Sequence, residues 1–174
     1  ETPTVNRDET LKISPTRVVE KKIEMPGVRQ NVIAIGLPSS GPQTNGYSLI
    51  RKILEKFTPP QDILSQLIEP HSSFLNHVLE INKLHKISGM CHITGGGLTE
   101  NLKRVIPNNL YLNLDNIKYP DWCKWLQRNG DLTDNEMKKI FNCGIGYIVF
   151  IRPELYKKEL NVEDFFYIGN VSKI

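Results

Sequence analysis

A chain of 174 residues with 39% hydrophobic and 24% charged side chains can bury one sizeable core, or at most two small ones, so a single main domain is the expectation. Its formal charge of +3 is spread in short clusters such as Lys21-Lys22, Lys138-Lys139 and Lys157-Lys158, each near acidic residues, which argues against a nucleic-acid footprint. Apolar runs such as "YIVFI" at 147–151 fall far short of the about 18 residues that a membrane crossing needs, and the polar N-terminus has no signal-peptide core, pointing to a soluble cytoplasmic protein.

The stretch 1–17 is polar, carries Pro3 and Pro15 and has no sustained period. It reads as a flexible arm or linker, and without an initiator methionine it points to a chain cut from a longer one. The domain is expected over 18–174. "RVVEKKIEM" and "NVIAIGLP" are β-branched runs separated by Pro26-Gly27, and both read as strands. "NGYSLIRKILEKF" places Leu49, Ile50, Ile53, Leu54 and Phe57 at helical spacing and stops at Pro59-Pro60. "QDILSQLIE" and "HSSFLNHVLEINKLH" read as two more helices, the second with Phe74, Leu75, Val78, Leu79 and Ile81 as its core face.

A strand at "ISGMCHIT" then runs into Gly95-Gly96-Gly97, and "LTENLKRVI" continues as a helix. "LYLNLD" alternates like a strand, and "PDWCKWLQRNG" reads as a helix closed by Gly130. Thr133 and Glu136 have the spacing of a capping box at the start of another helix. "IGYIVFIR" and "FFYIGNV" supply closing strands around a short helical piece near Glu154–Leu160. Strands alternating with helices predict an α/β (α+β) domain, a mixed β-sheet covered by helices on at least one face. Cys91, Cys123 and Cys143 are odd in number and widely spaced, so they read as reduced, buried thiols and not as a metal or disulfide framework.

Two turns share one construction: "IAIGLPSSGPQTNGYSLIRK" and "CHITGGGLTENLKR" each run strand, small-residue loop, helix. Glycine lets backbone approach a ligand without a Cβ in the way, and helix starts carry unpaired N–H groups with positive partial charge. Both loops are therefore candidate anion sites, with phosphate the best match. The hydroxyls of Ser39, Ser40, Thr44 and Thr94 and the amide of Asn45 are further donors. A tight turn accounts for the three glycines equally well, and a strand-end histidine such as His92 is often just a hydrogen-bonding residue. Neither loop matches G-x-x-x-x-G-K-[ST] or G-x-G-x-x-G.

"VIAIGLPSSGPQTNGYSLIRKIL", "HITGGGLTENLKRVIP" and "FNCGIGYIVFI", in that order and at these separations, closely resemble the C-terminal half of the phosphoribosylformylglycinamidine cyclo-ligase (aminoimidazole ribonucleotide synthetase) family. The resemblance runs from about Val18 to the end. It implies an ATP-dependent ligase of purine biosynthesis that converts formylglycinamidine ribonucleotide to aminoimidazole ribonucleotide. In that chemistry ATP phosphorylates the formyl oxygen, and the ring-closing nitrogen then attacks the activated carbon with loss of phosphate. Such a step asks the protein for positioning and charge stabilisation. The resemblance further implies that Ser39, Ser40, Gly41, Gln43, Thr44, Asn45 and Gly46 form a substrate-side loop. Thr94, Gly95, Gly96, Gly97 and Asn101 would line the same cleft, and His92 would be the catalytic residue for proton transfer or polarisation.

On the same basis ATP and Mg2+ would be held mainly by an N-terminal half, which would also supply most of a homodimer interface. No metal site is then expected in this chain, and alone it should not turn over. The sequence departs from the family at Gln43, where the usual motif has histidine, at Ser72, where it has arginine, and at Lys103, where it commonly has proline. His71 and Lys103 are candidates to replace the missing arginine's charge. Two other readings stay open: another ATP-dependent member of the superfamily, such as formylglycinamidine ribonucleotide synthase, selenophosphate synthetase or thiamine-monophosphate kinase, and a non-catalytic binding or assembly module that keeps the fold.

Overall fold

The computed structural model describes residues 25–84, 87–115, 117–156 and 165–174. In chain order the elements are β1 (Ile33–Pro38), α1 (Tyr47–Leu54), α2 (Gln61–Leu67), α3 (Leu75–Leu84), β2 (Gly89–His92) and α4 (Gly97–Leu102). They continue with β3 (Leu110–Leu112), α5 (Asp121–Asn129), α6 (Asp134–Ile140), β4 (Ile145–Ile151), α7 (Pro153–Tyr156) and β5 (Phe166–Lys173). The expected arm at 1–17 lies outside the described residues, as does the strand expected over 17–25 apart from Met25. So does the part of the last short helix beyond Tyr156.

The α/β architecture, a sheet covered by helices, is the expected one, but the sheet is antiparallel throughout the described strands and not mixed, because strand direction is set by how the connections return and not by local pattern. The strands lie in the order β2-β4-β1-β5-β3, and each of these four neighbouring pairs is antiparallel. β1 and β4 occupy the middle and are buried along nearly their whole length, which explains why they read as continuous β-branched runs. Ile33 to Leu37 pair with Ile151 to Tyr147 one for one, but Pro38 then pairs with Ile145. Gly146 is thereby bulged out of register, and the bulge sits where both strands run into loops. Proline, lacking an N–H, suits the last position of β1.

Alternation along the strands sends residues to two faces. Ile33, Ile35 and Leu37 join Val149, Ile151 and the α3 residues Val78 and Ile81 in one apolar cluster. Ala34, Cys91, Ile148 and Phe150 join the larger cluster, which holds buried residues of α1, α2, α4, α5 and α6. Helices thus cover both faces, α3 on one side and five helices on the other. In the thicker layer Trp122 and Phe141 meet edge to face at 6.1 Å, and both are fully buried.

The expected core faces hold in part. On α3, Val78 and Ile81 point inward, Phe74 is half-buried, and Leu75 and Leu79 face solvent at 63% and 37% exposure. The helix begins only at Leu75 and offers the sheet a narrow stripe, so leucines four apart fall on its outer flank. On α1, Ile50 and Ile53 are buried, whereas Phe57 lies past the helix end and is exposed. All three cysteines are buried and free, as expected.

The capping box at α6 forms as its spacing predicts. The Thr133 N–H donates to Glu136 Oε2 at 2.8 Å, and the Glu136 N–H donates to Thr133 Oγ1 at 3.3 Å. Thr133→Ala should lower unfolding stability by about 1 kcal/mol, measurable by urea denaturation, without altering far-ultraviolet circular dichroism.

Candidate functional site

The first loop, residues 39–46, joins β1 to α1 and dips into the protein. The Ser39 N–H donates to the Gly144 carbonyl at 2.9 Å, and the buried Asn142 amide donates to the Gly41 carbonyl at 2.9 Å. The Asn142 Oδ1 accepts from the Gly144 N–H at 2.9 Å and from the Ser39 hydroxyl at 3.4 Å. Ser40 donates its hydroxyl to the Pro70 carbonyl at 2.6 Å. Gly41 and Gly46 are packing glycines: a Cβ on the first would strike the Gln66 carbonyl, and one on the second the Phe141 ring. Sequence reasoning overlooked Asn142 as an anchor, although it stands in the recognised "FNCGIGYIVF" motif.

The second loop follows β2. The Asn101 amide donates to the carbonyls of Thr94 at 3.0 Å, Gly95 at 3.3 Å and Gly97 at 2.7 Å, while its Oδ1 accepts from the Thr94 hydroxyl at 3.1 Å. The three glycines do different things. A Cβ at Gly97, where φ is +61°, would stand 2.6 Å from the Lys138 carbonyl oxygen, so this glycine lets α4 press against the end of α6. Gly96 has φ +96° and would crowd Glu100. Gly95 has nothing within 4 Å of a built Cβ, and both Gly95 and Gly96 are exposed.

The two loops are joined directly. The Asn45 amide donates to the Pro42 carbonyl at 3.0 Å and, across to the second loop, to the Ile93 carbonyl at 3.5 Å. The structure therefore brings the predicted residues together but divides their roles. Asn45, Asn101, Gly41, Gly46 and Gly97 shape the loops; Thr44, His92, Gly95 and Gly96 are exposed; Ser39, Ser40 and Thr94 are half-buried. Gln43 is buried with a φ of +55°.

His92 ends β2 opposite Tyr147 of β4. The rings stack at 5.6 Å and 25°, and Phe74 meets His92 edge-on at 5.8 Å. Phe74 reaches this position because the bulged residue is glycine: a Cβ on Gly146 would occupy the Phe74 ring. Although His92 is exposed overall, partial desolvation of its ring against this shell, and next the charge of His71, hold the imidazole below its ordinary pKa. His71 thus lies within electrostatic reach of His92, whereas Lys103 is paired with Glu100 at 2.7 Å on the surface.

Among the described residues no group of three His, Cys, Asp or Glu side chains is placed to hold a metal ion, and no helix is long and apolar enough to cross a membrane. A cavity of about 480 Å³ lined by Tyr119, Pro120, Gly144 and Phe166 touches the predicted site residues at Ser39 alone.

Residues 31–173 match the family described as AIR synthase related protein, C-terminal domain. The chain belongs to this family. It is 43% identical over 148 residues to a phosphoribosylformylglycinamidine cyclo-ligase of Xylella fastidiosa (strain Temecula1), covering 78% of this chain and 42% of that protein. The same enzyme of Xanthomonas campestris pv. campestris (strain B100) is 42% identical over 149 residues, with 78% and 44% covered. The chain spans somewhat under half the length of these relatives. Thiamine monophosphate kinase from Aquifex aeolicus superposes with a TM-score of 0.56 at 13% identity, over 87% of this chain and 50% of that one. A second structure, AaThiL complexed with AMPPCP and TMP, gives 0.53 at 13% identity, over 85% and 47%. At that identity the likeness is one of fold.

Two outcomes follow from the geometry. Gly97→Ala should cost about 2–4 kcal/mol, combining steric overpacking with an unfavourable φ, while Gly95→Ala should stay within about 0.5 kcal/mol; chemical denaturation of the two variants checks this. The His92 imidazole should titrate below its ordinary value of about 6.5, and His71→Asn should move that midpoint upward, as followed by NMR. Because the unfolded imidazole binds its proton more readily, the His92 contribution should make stability fall as pH drops below that ordinary value.

Proposed function

We propose that this chain is the substrate-binding half of an ATP-dependent cyclo-ligase that converts formylglycinamidine ribonucleotide to aminoimidazole ribonucleotide in purine biosynthesis. The names of the 42–43% identical relatives support the activity. The observation that carries the site assignment is the Asn45 bridge to the Ile93 carbonyl, which makes one surface of two loops distant in sequence. In this reading the exposed N–H groups of Gly95 and Gly96, with the Thr44 and Thr94 hydroxyls, receive the phosphate of the nucleotide. These are donors without side-chain charge, suited to anion oxygens that must be held close and released.

His92 is the proposed catalytic residue. Desolvation lowers its pKa and favours the neutral imidazole, the form that can accept the proton shed by the nitrogen that closes the ring. Tyr147 stacks on the ring and Phe74 meets its edge, and the two contact each other, so together they hold the imidazole in place. The loops offer hydroxyl, amide and N–H donors and no carboxylate cluster, a set that fits substrate better than ATP or Mg2+. We assign those to an N-terminal half of the whole protein, which we propose to be a cytoplasmic homodimer without nucleic-acid or membrane partners. The superfamily and assembly-module alternatives gain no observation that favours them over the cyclo-ligase reading.

In the whole protein, His92→Ala should lower kcat by about 10²–10⁴-fold with a much smaller change in KM, the pattern of a group acting in the transition state. Steady-state kinetics of aminoimidazole ribonucleotide formation test it; an unchanged kcat would return His92 to the role of a packed strand-end histidine. The 174-residue chain alone should bind the substrate, seen by calorimetry, and form no product.

A further inference from the structure

Among the described residues, four buried side-chain polar atoms lack a hydrogen-bond partner, and three of them lie in the first loop: Nε2 and Oε1 of Gln43 and Oδ1 of Asn45. Gln43 is 3% exposed and Asn45 fully buried. The comparable amides beside them are different. Asn101 and Asn142 use both nitrogen and oxygen in hydrogen bonds within the same pair of loops. Gln43 also takes a left-handed backbone, φ +55°, that residues other than glycine seldom adopt. An unpaired buried amide and a strained backbone at one position are two penalties with no structural return, and such losses concentrate where a ligand supplies the missing partner.

We infer that Gln43, aided by the Asn45 Oδ1 two residues on, reads the formamide and amidine end of the substrate, an inference that rests on the substrate loop proposed above. A carboxamide presents a donor and an acceptor in one plane. Its complement is another planar group with N–H beside C=O or C=N, and both the formamide and the amidine of phosphoribosylformylglycinamidine have that form. Phosphate is a poor match, since it needs donors only and two of the three unpaired atoms are acceptors. The loop pair thus has two chemically distinct ends, glycine N–H groups for phosphate and Gln43 for the planar nitrogen-rich group. Because the Gln43 amide is covered, contact requires the segment at Gln43 and exposed Thr44 to turn outward.

The test uses the whole protein with two probes, phosphoribosylformylglycinamidine and ribose 5-phosphate, which keeps the phosphate end and lacks the other. Gln43→Met removes both unpaired atoms at nearly constant length. It should raise the melting temperature, weaken phosphoribosylformylglycinamidine binding by more than about tenfold and leave ribose 5-phosphate binding within about twofold. Gln43→Glu keeps the acceptors and loses the donor, and should also weaken the first probe selectively, which provides a second reading if the methionine variant does not fold. A raised melting temperature with both affinities unchanged would mean that the amide merely holds an internal water, overturning the inference while sparing the substrate loop. Failure of the parent protein to bind either probe would overturn the loop proposal, and this inference with it.

Discussion

Backbone that enters a protein interior without joining a helix or strand must still satisfy its carbonyls, and the candidate site exists because three buried asparagines do so. Asn142 takes the Gly41 carbonyl, Asn45 those of Pro42 and Ile93, and Asn101 those of Thr94, Gly95 and Gly97. Left unpaired, such a buried group costs about 1–3 kcal/mol. Amide side chains suit the task because one planar group can donate to several carbonyls while its oxygen accepts elsewhere. Irregular loops thereby gain the fixed geometry that binding requires and that sheet ladders would otherwise have to provide.

The sheet contributes through one defect. Slipping a single residue at Gly146 bends the end of β4 beside the end of β1, and the glycine leaves room for Phe74. Phe74 and Tyr147 then hold His92 at the edge of the second loop. The same apolar shell disfavours the charged imidazole, and His71 opposes it further. Packing and acid–base character of His92 are thus two results of one arrangement, since the rings that position it also set its proton affinity.

Stability is unevenly spent across the loop pair. Asn101 and Asn142 are satisfied, the ion pair of Lys103 with Glu100 lies in solvent, where such pairs contribute little, and Gln43 carries both strain and unpaired atoms. This contrast within a few residues separates Asn101 and Asn142, whose amides are satisfied as scaffold, from Gln43, the residue proposed for recognition.

The order of strands and helices was legible in the sequence because periodicity and punctuation are local: β-branched runs gave β1 and β4, and a threonine three residues before a glutamate marked the start of α6. The membership of the two glycine-bearing loops in one family pattern was legible too, since long motifs recur in register. Their residue-by-residue roles were not. Whether Gly95, Gly96 or Gly97 is free to meet a ligand depends on α6, about forty residues onward, whose carbonyls close on Gly97 alone. Leu75 and Leu79 looked like core because period cannot tell which flank of α3 the sheet will cover. Sequence by itself determined the elements and the donor types brought to the loops, because both are properties of neighbouring residues. Only the tertiary structure decided which donors remain available, because each buried polar group is satisfied or left unpaired by partners that are far away in the chain.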